Sequence, residues 1–367
     1  MALRTEELML NMGPQHPSTH GVLRLIVTLD GENITDVQPD IGYLHSSVEK
    51  MMEHRTYVQN VALVDRGMDY LIALNNEEAY CLAVETLANI QVPDRARYMR
   101  VIFCELNRIA SHLVWLGTWG IDLGATTIFL WCFRERERIL DLFEKVTGGR
   151  LHHVYFRVGG VYADLPEGWV EACGAFLDYF LPRVGEYDEL FTANPIFLAR
   201  TQGVGKMNRM DALALGASGP VGRASGIAYD VRKAAPYEVY DRLEFDVPVR
   251  TEGDCYSRYL VRMEEMRQSV RIIRQALRDL PGGEIRTRVP MTMKAPRGEV
   301  YVRTESPRGD LGVFIVSDGE ETPYRVKLRA PSFTNLYALT EMMKGWKIAD
   351  VIAILGSIDI VLSDVDR

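Results

Sequence analysis

The stretch from Met263 to Gly283 reads MEEMRQSVRIIRQALRDLPGG, and its apolar residues follow a helical period. They recur at alternating steps of three and four, at Met263, Met266, Val270, Ile273, Leu277 and Leu280. A second face carries the arginines Arg267, Arg271, Arg274 and Arg278. This spacing predicts a long amphipathic helix that packs on neighbouring elements and ends at Pro281-Gly282-Gly283.

The same period extends through the first half of the chain, from Ser47 to about Glu186. Helices are predicted near residues 47–65, 77–90, 94–117, 126–146 and 166–181. Helix-breaking residues separate these segments, at Pro93, Gly148-Gly149, Pro166 and Pro182. The sequence therefore predicts a mainly helical protein.

Strands are predicted at both ends of the chain. Leu23–Leu29 and Ile34–Val37 flank an Asp30-Gly31 turn, which indicates a hairpin. Three further strands are predicted after the long helix, near 299–303, 311–316 and 324–329, followed by a helical stretch over 333–355. The predicted fold class is α+β and mainly helical, with an N-terminal β-hairpin and a small C-terminal antiparallel sheet. The expected segments are 1–46, 47–290 and 291–367, within one compact unit.

Charge and cysteine spacing disfavour several classes of protein. A formal net charge of -8 argues against non-specific nucleic-acid binding, which needs a basic face. The five cysteines, at positions 81, 104, 132, 173 and 255, contain no CxxC pair, so no local iron-sulfur or zinc-ribbon motif is predicted. This usage fits a reducing compartment. No secretory signal is recognised near Met1, and a cytoplasmic location is expected.

The stretch Leu113–Phe133 is long enough to cross a membrane and carries a single charge, Asp122. Against a membrane span, it contains three glycines and would place a carboxylate near the bilayer centre, where ionisable groups are costly. The sequence favours a buried pair of helices with one functional acid.

A Pro- and Gly-framed loop, Gly13 to Gly21, presents His16 and His20 just before the predicted hairpin. Histidine exchanges protons near neutral pH, so two imidazoles on such a loop suggest a proton donor for a bound substrate. The alternative is that both only cap the hairpin. A zinc pair is disfavoured because the prolines oppose the helix that this ligand spacing prefers.

Two further segments carry protonic side chains. The sequence DRGMDY over residues 65–70 groups two acids, an arginine and Tyr70, whose hydroxyl can donate a hydrogen bond to a bound carbonyl. Its alternative is an ordinary charged helix end. His152 and His153 follow a Gly148-Gly149 helix stop, and a buried structural pair is the competing interpretation there.

Several segments together resemble one known family. They are 12–21 (MGPQHPSTHG), 110–117 (ASHLVWLG), 133–137 (FRERE), 256–267 (YSRYLVRMEEMR) and 364–367 (DVDR). They closely resemble the 49-kDa, or D, subunit of respiratory complex I, the proton-translocating NADH:quinone oxidoreductase, over nearly the whole chain. That family is similar to the large subunit of [NiFe]-hydrogenases, so the resemblance implies a helical bundle of that type.

The hydrogenase metal ligands are missing from the corresponding positions. Hydrogenases carry R-x-C-x-x-C early and D-P-C-x-x-C-x-x-H/R late, whereas this chain has Arg66 followed by Asp69 and Ile72, and later Val361 and Asp364. Because nickel in that geometry needs thiolate ligands, the resemblance implies that no metal is bound and that quinone occupies the vacated cavity. No cofactor is expected on this chain alone.

The resemblance assigns a role to each site residue. His20 and Tyr70 correspond to the pair that hydrogen-bonds the quinone headgroup, and Asp122 to the acid that orients the histidine. His16 and Val361 are expected to complete the quinone site. A further pair, Arg66 and His152, corresponds to residues near a [4Fe-4S] cluster that the neighbouring subunit ligates.

The implied protein is the quinone-pocket subunit of the peripheral arm, active only within the complex. Expected partners are the iron-sulfur small subunit, other peripheral-arm subunits and a membrane-arm subunit at the quinone entrance. The expected location is peripheral, on the cytoplasmic side of the cell inner membrane. Two alternatives remain open, namely a related membrane-bound complex with another electron donor and a non-catalytic assembly scaffold. Between Glu284 and Gly298 the chain is about thirty residues shorter than this family leads us to expect, a change that loops can tolerate.

Overall fold

Helices form most of the chain in the computed structural model, which describes residues 7–16 and 21–367. The fifteen α-helices of these residues are α1 (Val48–Met52), α2 (Val61–Gly67), α3 (Ala73–Ala88), α4 (Asp94–Asp122), α5 (Thr126–Thr147), α6 (Trp169–Tyr187), α7 (Pro195–Thr201), α8 (Arg209–Ala214), α9 (Gly219–Ala224), α10 (Val231–Ala234), α11 (Cys255–Arg278), α12 (Pro331–Tyr337), α13 (Leu339–Met342), α14 (Val351–Ile358) and α15 (Leu362–Asp366). A short 3₁₀ helix, Tyr70–Ile72, precedes α3. The prediction of a mainly helical α+β chain is confirmed.

Three small sheets are present in the described residues, all antiparallel. Their strands are β1 (Glu7–Met12), β2 (Arg24–Asp30) and β3 (Asn33–Asp40) in the first, β4 (Phe156–Arg157) and β5 (Gly160–Val161) in the second, and β6 (Gly298–Ser306), β7 (Gly309–Ser317) and β8 (Arg325–Arg329) in the third. The predicted hairpin is β2–β3, and the predicted C-terminal sheet is confirmed. The sequence did not reveal β1, because Leu8, Met9 and Leu10 are exposed and do not alternate with polar residues, and only Met12 is buried.

Helix α4 runs through the middle of the hydrophobic core. It follows Pro93, carries Asp94 in its first turn, and buries most of its residues, including Trp115 and Trp119. Residues 123–125 separate it from α5, which packs back against it. The stretch 113–133 is therefore two helices, as expected, although its second half is largely half-buried or exposed. Within residues 7–16 and 21–367, no helix combines the length and apolar composition that crossing a membrane requires.

The long helix α11 packs on α4 and begins earlier than its apolar pattern indicates. It starts at Cys255, because the Asp254 carboxylate accepts a hydrogen bond from the Ser257 N–H at 2.8 Å and so caps the first turn. It ends at Arg278, close to the predicted stop. Asp254 is a typical N-cap residue, so it could have indicated in the sequence that the helix starts at Cys255.

Buried ion pairs between helices are the main feature that the sequence did not reveal. On α4, the Arg100 guanidinium lies 2.6 Å from Glu85 of α3, and the His112 imidazole lies 2.9 Å from Glu265 of α11. Arg223 of α9 binds the same Glu265 at 2.6 Å. Helical periodicity treats charged residues as surface, so a polar core of this kind is invisible to it. Buried charges of this sort require partners, and these groups have them.

The buried apolar side chains form one contiguous cluster. It contains residues from each predicted segment, such as Leu25 near the N-terminus, Trp115 in the helical region and Ile315 in the C-terminal sheet. A shared core is what one compact unit requires. The division at residues 46 and 290 stays a prediction.

Candidate functional site

A cavity of about 420 Å³ lies where the C-terminal half of α4 meets the end of the chain. One face of α4 forms a wall, because its lining residues are spaced by one, three or four positions. The other walls come from the start of the 3₁₀ helix, the turn between β6 and β7, and the segment between α14 and α15. The lining residues are Tyr70, Leu71, Val114, Trp115, Thr118, Ile121, Asp122, Arg308, Asp359, Ile360 and Val361.

Tyr70 is held in this wall by the backbone around it. The Asp69 carboxylate caps the 3₁₀ helix by accepting a hydrogen bond from the Leu71 N–H at 3.0 Å. Asn76 of α3 donates to the Asp69 carbonyl at 2.9 Å, and Asn107 of α4 donates to the Leu71 carbonyl at 2.9 Å. The tyrosine is 40% exposed, and among the described residues its hydroxyl has no hydrogen-bond partner. Its donor is thus available to a ligand in the cavity.

Arg308 forms the charged floor of the cavity. It lies in the turn between β6 and β7, where its backbone N–H donates to the Ser306 hydroxyl at 3.3 Å. Its guanidinium lies 2.5 Å from the Asp69 carboxylate and 3.2 Å from that of Asp359, and it donates to the Ser111 hydroxyl at 3.1 Å. All of these side chains are buried. One cation therefore links three elements that are distant in sequence.

The Asp69 carboxyl of this cluster holds its proton unusually well. Burial is the largest cause and, against the opposing charge of Arg308, it raises the pKa of Asp69 to about 7, with Asp364 and Asp359 adding like-charge repulsion. Burial also raises the pKa of Tyr70, and the neighbouring Asp69 adds to this. Asp69 can therefore gain or lose a proton near neutral pH beside a tyrosine that keeps its own.

The family resemblance predicts four positions equivalent to hydrogenase ligands, Asp69, Ile72, Val361 and Asp364, and three of them lie close to Arg308. Val361 lines the cavity, and Asp69 and Asp364 are both in electrostatic contact with Arg308. The Asp364 carboxylate accepts a hydrogen bond from the Ser332 N–H at 3.1 Å, and burial raises its pKa. Ile72 is buried but does not line the cavity.

A second polar cluster lies at the other end of the Asp65–Tyr70 segment. The Asp65 carboxylate, in α2, lies 2.9 Å from the His152 imidazole and accepts hydrogen bonds from the His153 and Val154 N–H groups at 2.9 and 3.1 Å. Glu77 lies beside it and accepts from the N–H groups of residues 155 and 156 at 2.9 and 2.6 Å. His152 is partly exposed, while Asp65 is fully buried. The histidine is thus aimed by a buried acid.

Burial and hydrogen bonding act in opposite directions on this pair of acids. Burial would raise the pKa of Asp65, but a hydrogen bond from Glu77, the two backbone N–H donors and His152 together lower it. For Glu77, burial and the bond to Asp65 raise the pKa well above its ordinary value. The shared proton therefore resides on Glu77, and Asp65 is ionised.

The remaining predicted residues fall at different distances from these clusters. Arg66 is exposed and directly follows Asp65 on α2, so it lies at the His152 end. His16 lies just after β1 and is not among the residues that line the cavity. The predicted site residue His20 lies outside the described residues. Gly21, the next described residue, has an α-carbon whose missing side chain would point at Leu362, beside Val361, with a contact of 3.6 Å.

The structure thus brings Tyr70, Asp122 and Val361 together and adds residues that the sequence did not suggest. Arg308 and Asp359 were missed, because an arginine in a hairpin turn and an acid after a helix are ordinary in a sequence. Asp65 was noted only as part of a charged segment. Its partnership with His152, 87 residues later, is a tertiary contact.

Comparison with known proteins identifies the family. The profile described as respiratory-chain NADH dehydrogenase, 49 Kd subunit, matches residues 122–294 and 287–367. The chain belongs to this family. The NADH-quinone oxidoreductase D subunit of Desulforamulus reducens is 51% identical over 366 residues, which cover 100% of both chains. That of Dehalococcoides mccartyi is 53% identical over 368 residues, again covering 100% of both. The NAD(P)H-quinone oxidoreductase H subunit of Thermosynechococcus vestitus is 51% identical over 389 residues, covering 99% of this chain and 98% of its own.

Membership of the 49-kDa subunit family fixes the enzyme to which the chain contributes. It is a subunit of an NADH:quinone oxidoreductase complex, and it assembles with other subunits of that complex. Among the described residues, no group of three or more His, Cys, Asp or Glu side chains is arranged to hold a metal ion.

One expectation about the length of the chain is wrong for the first two relatives. Their alignments of 366 and 368 positions cover both chains completely, so they leave no room for a missing segment of about thirty residues after Glu284. The alignment with the Thermosynechococcus protein runs over 389 positions, which exceeds the length of this chain, so that relative carries additional residues. Length varies within the family at this level of identity.

Proposed function

We propose that the cavity of about 420 Å³ is the quinone site of the complex, and that this chain passes electrons from a cluster on a neighbouring subunit to the quinone. The proposal rests mainly on one observation. Tyr70, Asp122 and Val361, which the family resemblance singled out, line the same cavity as Arg308. Its walls are mostly apolar and include a few polar side chains, which is the composition typical of small-molecule sites.

Reduction of a quinone to a quinol takes two electrons and two protons, and the chain supplies groups for the protons. The Tyr70 hydroxyl donates a hydrogen bond to one carbonyl oxygen of the ring. Asp69 lies beside it and holds an exchangeable proton near neutral pH, since its pKa is about 7. We assign the second donor to His20, oriented by Asp122, and His16 to the same site. The assignment of His20 is supported by Gly21, where an added β-carbon would lie 3.6 Å from Leu362.

The other end of the Asp65–Tyr70 segment is proposed to face the cluster. His152 is partly exposed and anchored by Asp65, and the exposed Arg66 follows Asp65 directly. A protonatable imidazole and a guanidinium beside a cluster favour its reduced state. The iron-sulfur small subunit is the partner assigned to this face. This arrangement would place the cluster and the quinone at opposite ends of the Asp65–Tyr70 segment.

The wider setting follows from the same proposal. The chain would lie peripherally, on the cytoplasmic side of the cell inner membrane, with a membrane-arm subunit at the mouth of the cavity, and the complex would translocate protons. A [NiFe]-hydrogenase-like origin of the fold is supported by the grouping of Asp69, Asp364 and Val361 around Arg308. In this interpretation a guanidinium and carboxylates occupy the place of a metal and its thiolates.

Substitution of the tyrosine tests the proposal. In the assembled complex, Tyr70→Phe removes one donor hydroxyl and should lower kcat for short-chain quinones by about a hundredfold, the scale of lost acid catalysis. Assembly and reduction of the cluster by NADH should persist. The matched control is Tyr324→Phe, at a tyrosine that is 67% exposed and outside both clusters, and it should leave kcat unchanged.

The same assay separates the proposal from its rivals. Unchanged kcat and KM in Tyr70→Phe would remove this residue from the reaction and favour an assembly scaffold. A complex with another electron donor would retain the Tyr70 effect but would accept electrons from ferredoxin rather than from NADH. Purification of the native complex and identification of its electron-input subunits decides that point.

A further inference from the structure

A second cavity, of about 820 Å³, is lined by four arginines and by no acidic residue of the described chain. Its walls come from the loop after α1, from α2, from the β4–β5 hairpin and from the segment that precedes β6. The lining residues are Arg55, Val58, Gln59, Ala62, Val154, Arg157, Val158, Tyr162, Arg286, Arg288, Val289 and Met291. We name it the arginine cavity.

The backbone presents two of these arginines on one side. Arg286 and Arg288 are two residues apart in an extended segment, so their side chains leave the same face. Thr287, between them, is fixed by its N–H to the Gly159 carbonyl at 2.9 Å and by its hydroxyl to the Gln91 carbonyl at 2.6 Å. A β-carbon at Gly160 would lie 2.2 Å from the Ile285 carbonyl oxygen, so only glycine permits this close approach. The wall is therefore preformed.

The four guanidinium groups lack carboxylate partners. Among residues 7–16 and 21–367, none of Arg55, Arg157, Arg286 and Arg288 lies within salt-bridge distance of an acid. The Arg157 guanidinium lies over the Tyr162 ring, 5.3 Å from its centroid. It also interacts electrostatically with Glu77, but burial raises the pKa of that carboxyl and so favours its neutral form. Four cations thus share one cavity without compensation, in a chain whose formal net charge is -8. Like charges in proximity attract an anion.

Another surface of the protein shows that arginines in this molecule usually have carboxylate partners. A groove of about 640 Å³ along α11 is also lined by five arginines. Each of these has a carboxylate partner: Arg242 with Asp94 at 3.2 Å, Arg267 with Asp188, Arg271 with Asp246 at 3.0 Å, Arg274 with Asp178 at 2.6 Å, and Arg278 with Asp279 at 2.7 Å. That groove is neutralised internally, whereas the arginine cavity is not.

We propose that the arginine cavity is a docking site for an acidic peptide segment of another subunit of the complex. Charge complementarity supplies the argument for acidic residues. The valines and Met291 between the arginines favour a peptide with interspersed apolar side chains over a small inorganic anion. The partner is a subunit because the chain functions within a multi-subunit enzyme. Ala62 and Val154 line the cavity and lie four and two residues from Arg66 and His152 along the chain, so an occupant of the cavity would also approach the proposed cluster face. This last step rests on the proposed function.

Site-specific cross-linking in the assembled complex tests the proposal. A photoreactive benzoylphenylalanine replaces Met291, which is 60% exposed and lines the cavity. After irradiation of the purified complex, mass spectrometry should place the cross-link on a segment of a partner subunit that contains several Asp or Glu residues. Arg286→Glu with Arg288→Glu should lower the yield of this product about tenfold, since charge reversal converts attraction into repulsion.

Two matched variants keep the result interpretable. Arg286→Lys with Arg288→Lys retains the charges and should keep most of the yield. Arg271→Glu with Arg274→Glu makes the same charge change in the neutralised groove and should leave the yield unaltered. If the glutamate variant of the cavity does not assemble, the parent complex still tests the proposal, because its yield should fall as salt concentration rises.

Several outcomes would overturn the proposal. They are a cross-link only to lipid, a cross-link to a segment without acidic residues, no product at position 291, and a yield that is insensitive both to charge reversal and to salt. Failure of the quinone site is separate, because it is measured by kcat in Tyr70→Phe. An unchanged kcat together with an acidic cross-link would retain this docking site and reject the quinone assignment.

Discussion

Asp65 and Asp69 are four residues apart on one segment, both fully buried, and their carboxyl groups behave in opposite ways. The pKa of Asp65 is lowered, whereas that of Asp69 is raised to about 7. Burial favours the neutral form in each case, so burial does not explain the difference. Asp65 faces two backbone N–H donors and a protonated neighbour, while Asp69 faces two other carboxylates across a single guanidinium. The hydrogen-bond donors and charges around each carboxyl group, rather than how deeply it is buried, decide whether it is ionised.

This difference suits the two ends to different tasks. An acid that stays ionised is a fixed anchor, and Asp65 uses its charge to hold His152. An acid that titrates near neutrality can store and release a proton, and this is the role proposed for Asp69 next to Tyr70. The segment thus carries a static end and an exchangeable end.

Removal of the guanidinium should have the largest effect on this contrast. Arg308→Met keeps much of the volume but leaves Asp69 and Asp359 buried without their cation. We expect the free energy of unfolding to fall by about 3–5 kcal/mol, the cost of breaking a buried ion pair on one side. Urea unfolding of the purified chain measures this.

The control for that experiment is an exposed arginine on the preceding strand. Arg303 pairs with Asp310 at 3.5 Å, and Arg303→Met should cost less than about 1 kcal/mol because its side chain is 40% exposed. The double variant Arg308→Met with Asp69→Asn should recover part of the loss. Equal stability of Arg308→Met and the parent would show that the cluster is not a stabilising ion pair.

Replacing each of the two acids by asparagine should change the free energy of unfolding by different amounts and with a different dependence on pH. Asp65→Asn loses charged hydrogen bonds and should lower the free energy of unfolding at pH 7 by about 2 kcal/mol. Asp69→Asn should cost less, because the parent group is already partly protonated there. The Asp65 contribution is present above its unfolded pKa and disappears as pH falls through its lowered folded pKa.

For Asp69 the sign is reversed. Between about pH 4 and pH 7 the folded state keeps a proton that the unfolded state has released, so stability decreases as pH rises through this window. The slope from one such group is at most about 1.4 kcal/mol per pH unit. Unfolding curves at several pH values should show a shallower decline in Asp69→Asn than in the parent. Parallel curves would mean that Asp69 does not titrate in this range.

A smaller effect is expected at Asp122, which also lines the proposed quinone cavity. Asp122→Asn keeps the size and some hydrogen bonding of the side chain but removes the charge assigned to orienting His20. We expect kcat for quinone reduction to fall about tenfold with little loss of assembly. Steady-state assays of the assembled complex measure this, with the exposed Asp178→Asn as control. Full activity would withdraw Asp122 from the proton-donating group.

At the Asp65 end of the segment, the expected change is confined to the pH dependence of the reduction potential of the proposed cluster. An imidazole that takes up a proton when the nearby cluster is reduced makes the reduction potential fall as pH rises, by up to about 59 mV per pH unit for one electron. His152→Met removes the imidazole and keeps much of the volume. Redox titration of the assembled complex should show a flatter slope in this variant. The same slope in both proteins would assign the proton to another group.

Much of the fold could be predicted from the sequence, because periodicity reports which residues face the core. Helices α3, α4, α5 and α11, the β2–β3 hairpin and the C-terminal sheet all followed from it. Strand β1 was not predicted, because three of its four apolar residues are exposed. Of the site, Tyr70, Asp122 and Val361 came from family resemblance and were found in one cavity.

The charged partners could not be predicted in the same way. Arg308 meets Asp69 across 239 residues of sequence, and Asp65 meets His152 across 87. Neither spacing has a local signal, because such pairs are specified by the packing of whole elements. The sequence shows where each charged residue lies along the chain, but only the tertiary structure shows which residue it pairs with.

The Asp366 carboxylate accepts hydrogen bonds from the N–H groups of Gly42 and Leu44, at 2.8 and 2.7 Å, more than 300 residues away along the chain. Contacts of this separation close a very large loop, and loop closure makes them slow to form. The segment between α14 and α15, which lines the proposed quinone cavity, lies a few residues before Asp366 in the chain. The helices around α4 can therefore collapse first, and the cavity would be among the last parts of the molecule to mature during folding.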